Sequence, residues 1–315
     1  MERPRLTTMA DHASPPTRRL LFRSLGISVV DFRCHAGVER LGTEEPNPTH
    51  SIVFVRRGVF GRSHEDGTLV ADPNHVLFFN AAQPYRYSHP VAGGDDCTIL
   101  AVDTTRALEL VARHARRDPR PESPFRRSHG LCSRRAAQLH WELLRLVDRP
   151  ALRLALEDVI AELADEAVGN AYRSPEEPIQ RLGRLAPAGR RHRELAEAAK
   201  LVLNERIDAP PSLSDLAGVL GCSPFHLSRT FHRTVGLSLR QYVRQLRARL
   251  AAAQLAAGAG DLTRLALDVG YFDHSHFTKS FRDEWGIPPS RFRAGRSASV
   301  PASDLPDRRR ARRRN

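Results

Sequence analysis

The stretch L-S-D-L-A-G-V-L-G-C-S-P-F-H-L-S-R-T-F-H-R-T-V-G-L, residues 213–237, sets the reading of this chain, because the chain then repeats it. The second copy, L-T-R-L-A-L-D-V-G-Y-F-D-H-S-H-F-T-K-S-F-R-D-E-W-G-I, occupies residues 262–287. Leu213, Leu216, Ala217 and Leu220 stand at i, i+3, i+4 and i+7, as do Leu262, Leu265, Ala266 and Val269. Each copy therefore opens with a short amphipathic helix. Gly221 and Gly270 end those helices. A second helix follows, buried through Leu227, Phe231 and Val235 in one copy and Phe277, Phe281 and Trp285 in the other, and closed by Gly236 and Gly286. The offset between copies is 49 residues before the turn and 50 after it, so the second turn holds one extra residue.

Helix, tight turn, helix is the unit whose second helix enters the DNA major groove. The stretch resembles the DNA-binding domain of the AraC/XylS family of bacterial transcription regulators. The resemblance is carried by Leu216-Ala217, Gly221, Ser223, Leu227, Arg229, Phe231, Gly236 and Tyr242, then by Leu265-Ala266, Gly270-Tyr271, Phe277, Lys279, Phe281, Gly286, Pro289 and Phe292. It covers roughly the last third of the chain. Tyr271 stands where the family usually has Phe, and Lys279 where it often has Arg.

Charge supports a nucleic-acid partner. The 315 residues carry a net +13, and residues 186–315 hold 23 Lys+Arg against 12 Asp+Glu. The first 185 residues are nearly balanced, so the excess travels with the repeat. Cys34, Cys97, Cys132 and Cys222 are scattered without a C-x-x-C pair, which predicts reduced thiols in a cytoplasmic protein and neither a disulfide framework nor a zinc ribbon. No apolar run approaches 18 residues, so no membrane partner is expected.

Outward from the repeat, residues 193–296 read as the all-α DNA-binding domain, with units at 213–236 and 262–286 and a linker helix over 239–257 buried through Val243, Leu246, Leu250 and Ala253. Residues 173–192, rich in Pro and Gly, read as an inter-domain linker. Residues 1–19 and the Arg-rich 297–315 read as a disordered arm and tail, the latter adding phosphate contacts without specificity. Residues 20–172 open with short β runs at 27–32, 51–55, 68–71, 75–80 and 97–102, separated by turn formers, and pass into amphipathic helices after Thr104. The chain is thus an α+β multidomain protein: an N-terminal β-barrel with flanking helices and a C-terminal all-α domain with two helix-turn-helix units.

The resemblance implies more. The N-terminal half looks like the family's cupin-type sensor, implying a small-molecule effector, a possible homodimer through the flanking helices, and recruitment of RNA polymerase. The alternative is a dimerisation module without a ligand. Candidate effector residues are Phe54, Phe78, Asn80, Tyr85, Tyr87 and His89, set against ordinary core packing. His50, His64, His75 and His89 form no H-x-H pair, and no nucleophile motif is present, so no enzyme, cofactor or metal is expected.

Within the readers, Ser223 is the expected N-cap with Pro224 at the first helical position, leaving Phe225, His226, Ser228, Arg229 and His232 on the exposed face. Asp273 is the expected cap of the second, exposing His274, Ser275, Thr278, Lys279 and Arg282. Arg229 is the leading base reader, since its planar fork matches guanine O6 and N7. A phosphate contact is the competing role, more so for Lys279, whose ammonium is a poorer bidentate donor. A linker helix of about 18 residues spans roughly 27 Å, of the order of one DNA turn.

Overall fold

The computed structural model describes residues 15–38, 42, 44–64, 67–173 and 187–297. Ten strands precede or interrupt the first helices: β1 Thr17–Ser24, β2 Ile27–Cys34, β3 Glu44–Pro46, β4 His50–Gly58, β5 Phe60–His64, β6 Gly67–Ala71, β7 His75–Phe79, β8 Pro84–Ser88, β9 Asp95–Val102 and β10 His129–Leu131. The helices of this half are α1 Thr104–Ala112, α2 Arg134–Leu146 and α3 Arg153–Arg173. The C-terminal half holds α4 Pro187–Glu205, α5 Leu213–Val219, α6 Pro224–Val235, α7 Leu239–Ala257, α8 Leu262–Asp268, α9 His274–Trp285 and α10 Pro289–Ser297.

The strands form two antiparallel sheets, ordered β1-β2-β9-β4-β7-β10 and β3-β8-β5-β6. Alternation along β4, β7 and β9 sends successive side chains to opposite faces. Ile52, Phe54, Val76, Phe78 and Leu100 pack under α1, α2 and α3. Val53, Val55, Leu77, Phe79 and Cys97 meet Leu69 and Ala71 of the smaller sheet. The central strands β4 and β7 are thus buried on both faces, which explains their near-continuous apolar runs. Each of the five expected β runs falls in a strand; β1, β3, β5, β8 and β10 are additional. The observed architecture is mixed sheet and helix, and the described strands form two packed sheets rather than one continuous hydrogen-bonded barrel.

Two expected boundaries move. Thr17–Arg19 of the expected arm already belong to β1, where they pair with Arg33, Phe32 and Asp31 of β2. Of the expected linker, Arg173 closes α3 and Pro187–His192 form the first turns of α4, whose opening tolerates a proline because that N–H has no helical acceptor. Residues 1–14, 174–186 and 298–315 lie outside the described residues.

In the C-terminal half, α7 spans its expected 239–257 and opens with a capping box between Ser238 and Gln241. It serves two cores at once. Tyr242 and Leu246 pack with Ala199, Leu216, Leu227 and Phe231. Ala251, Ala252 and Leu255 pack with Leu265, Phe277, Phe281 and Phe292. The expected buried stripe of Val243, Leu246, Leu250 and Ala253 is corrected: only Leu246 is fully buried, and Tyr242, Ala248, Arg249, Ala251, Ala252 and Leu255 join it. The buried surface is wider because α7 also lies against the N-terminal half, including β4.

Candidate nucleic-acid interface

Both readers start as the sequence predicts. The Ser223 hydroxyl accepts from the His226 N–H at 3.2 Å, with Pro224 at the first helical position. The Asp273 carboxylate accepts from the His276 N–H at 2.6 Å. Gly236 and Gly286 close the helices in the left-handed region. On α6, Leu227, Thr230, Phe231 and Val235 are buried, while Phe225, His226, Ser228, Arg229 and His232 are exposed. His226 is flanked by the α4 residue His192, with ring centroids 5.7 Å apart.

On α9, His274, Ser275, Lys279 and Arg282 are exposed as expected. Thr278 is a correction: it is half-buried beside Phe277, and its hydroxyl is enclosed without a hydrogen-bond partner. His276 and Phe272, which the sequence reading passed over, are exposed, Phe272 at 89%. The extra turn residue supplied the signal for Phe272: a lengthened turn pushes one side chain out of the core. Phe225 is 74% exposed, so its ring does not staple onto the preceding helix. Two aromatic rings thus stand free near the two reader N-termini, among exposed donors suited to phosphates and base edges.

The residues of the N-terminal half do not converge as the sequence reading expects. Phe54 and Phe78 face the helices, Tyr85 faces the space between the sheets, and the Asn80 side chain holds the backbone of Phe125 at 2.9 and 3.0 Å. Tyr87 and His89 lie together, ring centroids 5.8 Å apart. The sequence shows runs of apolar residues, but only strand phase decides which face each occupies. Cavities open among the described residues on either side of the larger sheet. One, of about 430 Å³, lies between the sheets and is lined by Phe32, Phe60, Tyr85, Asp95 and Cys97. The larger, of about 810 Å³, lies between the two halves, lined by Phe54, Arg56, His140, Trp141, Arg249 and Trp285 among others. Burial, with a smaller contribution from the Arg56 charge, pushes His140 down to about 3, so this wall is neutral there near pH 7.

The halves are joined by a buried polar seam that has no motif in the sequence. Asp72, fully buried, accepts from the Asn204 amide at 2.8 Å and from the Tyr242 hydroxyl, and contacts His75 Nδ1 at 2.9 Å. Burial opposes its charge, but His75, Asn204 and Tyr242 together hold its carboxyl well below the usual range. Lys200 Nζ donates to the Val70 carbonyl at 3.0 Å and pairs with Glu197 at 2.8 Å. Arg249 donates to the carbonyls of Pro73 and Cys132 at 2.9 and 2.8 Å and pairs with Glu284 at 2.9 Å. Trp141 of α2 stacks on Phe292 of α10 at 4.0 Å. The C-terminal half is thereby fixed to the sheet half through α4, α7, α9 and α10.

Known proteins share sequence similarity with the C-terminal third of the chain. A helix-turn-helix domain family model matches residues 216–295. The regulatory protein SoxS of Salmonella typhimurium is 30% identical over 102 residues, 32% of this chain and 95% of SoxS. The multiple antibiotic resistance protein MarA of Salmonella typhimurium is 28% identical over 91 residues, 29% of this chain and 72% of MarA. Among solved structures, an AraC-type transcriptional regulator from Chromobacterium violaceum aligns with 28% identity and a TM-score of 0.31, covering 34% of this chain and 95% of that one. With two capped helix-turn-helix units on either side of α7 and a regulator matched over nearly its whole length, the chain belongs to the AraC/XylS family and is a sequence-specific DNA-binding regulator of transcription.

Proposed function

We propose that this regulator answers to a small molecule held by its N-terminal half, and that both readers of one chain engage successive major grooves. The spacing is supported by α7, whose 19 residues span about 28 Å, close to the roughly 34 Å of one DNA turn. The observation that carries the effector reading is the cavity of about 810 Å³ between the halves. Its wall combines Arg56, Arg57 and Trp141 from one half with Arg249 and Leu250 from the other. These guanidinium groups pair with carboxylates, Arg56 with Asp31, Arg57 with Asp96 and Arg249 with Glu284, so a ligand with an anionic group and an apolar body would compete for them beside the aromatic and aliphatic surface. A ligand there touches both halves, so its binding energy bears directly on how they are joined.

The chain acts as a binding protein rather than an enzyme. In support, His50 and His75 are spent on separate bonds, to the Ala81 N–H and Asp72 respectively. A homodimer and contact with RNA polymerase complete the reading by family resemblance, in the cytoplasm; exposed Leu154, at 78%, offers apolar surface on α3 for the dimer. No helix among the described residues is long and apolar enough to cross a membrane.

The test is a thermal-shift screen of the full chain against amphipathic anions, followed by footprinting with each hit. A true effector raises Tm, alters protection at one of two half-elements a helical turn apart, and loses its effect in Ala253→Trp, which fills the cavity wall. Hits that stabilise the protein equally in Ala253→Trp, or leave the footprint unchanged, rule out this site; the N-terminal half is then a dimerisation module.

A further inference from the structure

We propose that Cys34, His89 and Asp95 form a binding site for one thiophilic divalent cation of the zinc type. Cys34 lies far along the chain from His89 and Asp95, which are six residues apart, and strand pairing brings it to them. Antiparallel register places Cys34, at the end of β2, opposite Asp95 at the start of β9. His89, the residue after β8, turns its Nε2 to within 2.9 Å of Asp95 Oδ1. The Cys34 sulfur, a ring nitrogen of His89 and a carboxylate oxygen of Asp95 all lie within 4.8 Å of one another. Tetrahedral zinc, with bonds of roughly 2.0–2.3 Å, holds its ligand atoms roughly 3–4 Å apart, so small side-chain rotations suffice.

The surroundings are built rather than incidental. His89 and Asp95 are 2% and 1% exposed. The Cys34 backbone is clamped: at Gly94, with φ of +68°, a Cβ would stand 2.0 Å from the Cys34 carbonyl oxygen, so only glycine permits this approach. The Cys97 thiol donates to the other Asp95 oxygen at 2.9 Å and orients the carboxylate from behind. Asp95 and Cys97 also line the inter-sheet cavity, which gives a fourth ligand, water or a small molecule, a route to the cation.

The chemistry balances. Cys34 binds as the thiolate and releases one proton to solvent; His89 binds as the neutral imidazole, and Asp95 as the carboxylate. Two negative charges then meet a 2+ ion in a buried place where a net charge would be costly. One sulfur, one nitrogen and one oxygen donor favour zinc over magnesium or calcium, which take oxygen shells. The arrangement lies outside the H-x-H pattern, so the sequence gives it no local signature.

The test uses reduced, metal-free full-length protein titrated with cobalt(II). One equivalent should produce a thiolate-to-cobalt charge-transfer band, competed away by zinc and not by magnesium. Cys34→Ser and His89→Gln should each abolish the band with the circular dichroism of the fold retained, and Cys222→Ser should keep it. In unsubstituted protein, one equivalent of zinc should slow alkylation of Cys34 at least tenfold, read by peptide mass spectrometry, and leave Cys222 unchanged. A protein that gives no band, a band that survives Cys34→Ser, or unprotected Cys34 at saturating zinc overturns the proposal.

Discussion

The two helix-turn-helix units share a pattern but not a setting. The first helices of each, α5 and α8, have seven residues, and the readers α6 and α9 have twelve. Around the first unit the core is completed by α4 and the first half of α7. The second shares its core with the far half of α7 and with α10, and the C-terminal end of its reader enters the junction with the sheet half. Glu284 is 5% exposed and pairs with Arg249, the Glu284 carbonyl accepts from Gln138, and Trp285 packs against the core beneath α2 and α3. The first reader is held mainly through its neighbours; the second is held by its own residues. A shift of the N-terminal half therefore bears most directly on the second reader.

The strongest way to break this comparison is Arg249→Ala. It leaves the buried Glu284 with only Arg134, at 3.9 Å, opposite it, and removing one partner of a buried pair costs about 3–5 kcal/mol. Urea unfolding should show that loss, and footprints of the folded fraction should weaken over the second half-element before the first. Equal weakening of both would mean that the seam fixes α7 as a whole rather than the second unit.

The turns sharpen the contrast. Gly221 and Gly270 both sit at positive φ, 65° and 84°. Alanine at either carries left-handed strain of about 1–2 kcal/mol. At Gly221 the added Cβ meets nothing within 4 Å, whereas at Gly270 it would stand 2.3 Å from the Asp208 carbonyl and 2.4 Å from Arg247. Gly270→Ala should therefore exceed Gly221→Ala by roughly 1–3 kcal/mol in chemical denaturation. Indistinguishable losses would mean that the chain before α5 moves aside freely.

The smallest contrast concerns reading. Arg229→Ala should lose about 1–3 kcal/mol at the cognate site and relax one base position. Lys279→Ala should lose less and lose it equally on scrambled DNA, as a phosphate contact does. Competition binding at fixed salt checks both; a larger specific loss at Lys279 would reverse the roles of the two readers.

Much of this was legible in the chain as written. The apolar spacing of Leu216, Ala217, Leu227 and Phe231, and of their partners in the second copy, specifies helices whose own faces must meet. The caps Ser223 and Asp273 and the span of α7 follow from neighbours within four residues. Thr278 escaped because a residue at the edge of a buried stripe falls on either side of it, depending on how its neighbours pack.

The sequence by itself determined the two units, their spacing, the five principal β runs and the family, since each depends on contacts among residues close along the chain or repeated in register. Tertiary structure alone decided what joins the halves and what shares a site. Tyr242 meets Asp72 across 170 positions and Arg249 meets Pro73 across 176. Phe54 and Tyr85 part company because they lie in different sheets, Phe54 facing the helices and Tyr85 the space between the sheets, and Cys34 meets Asp95 and His89 because β2 and β9 pair in one register. Period and capping are local properties of a chain. Which strand lies beside which, and in what register, is fixed only when the whole core is buried.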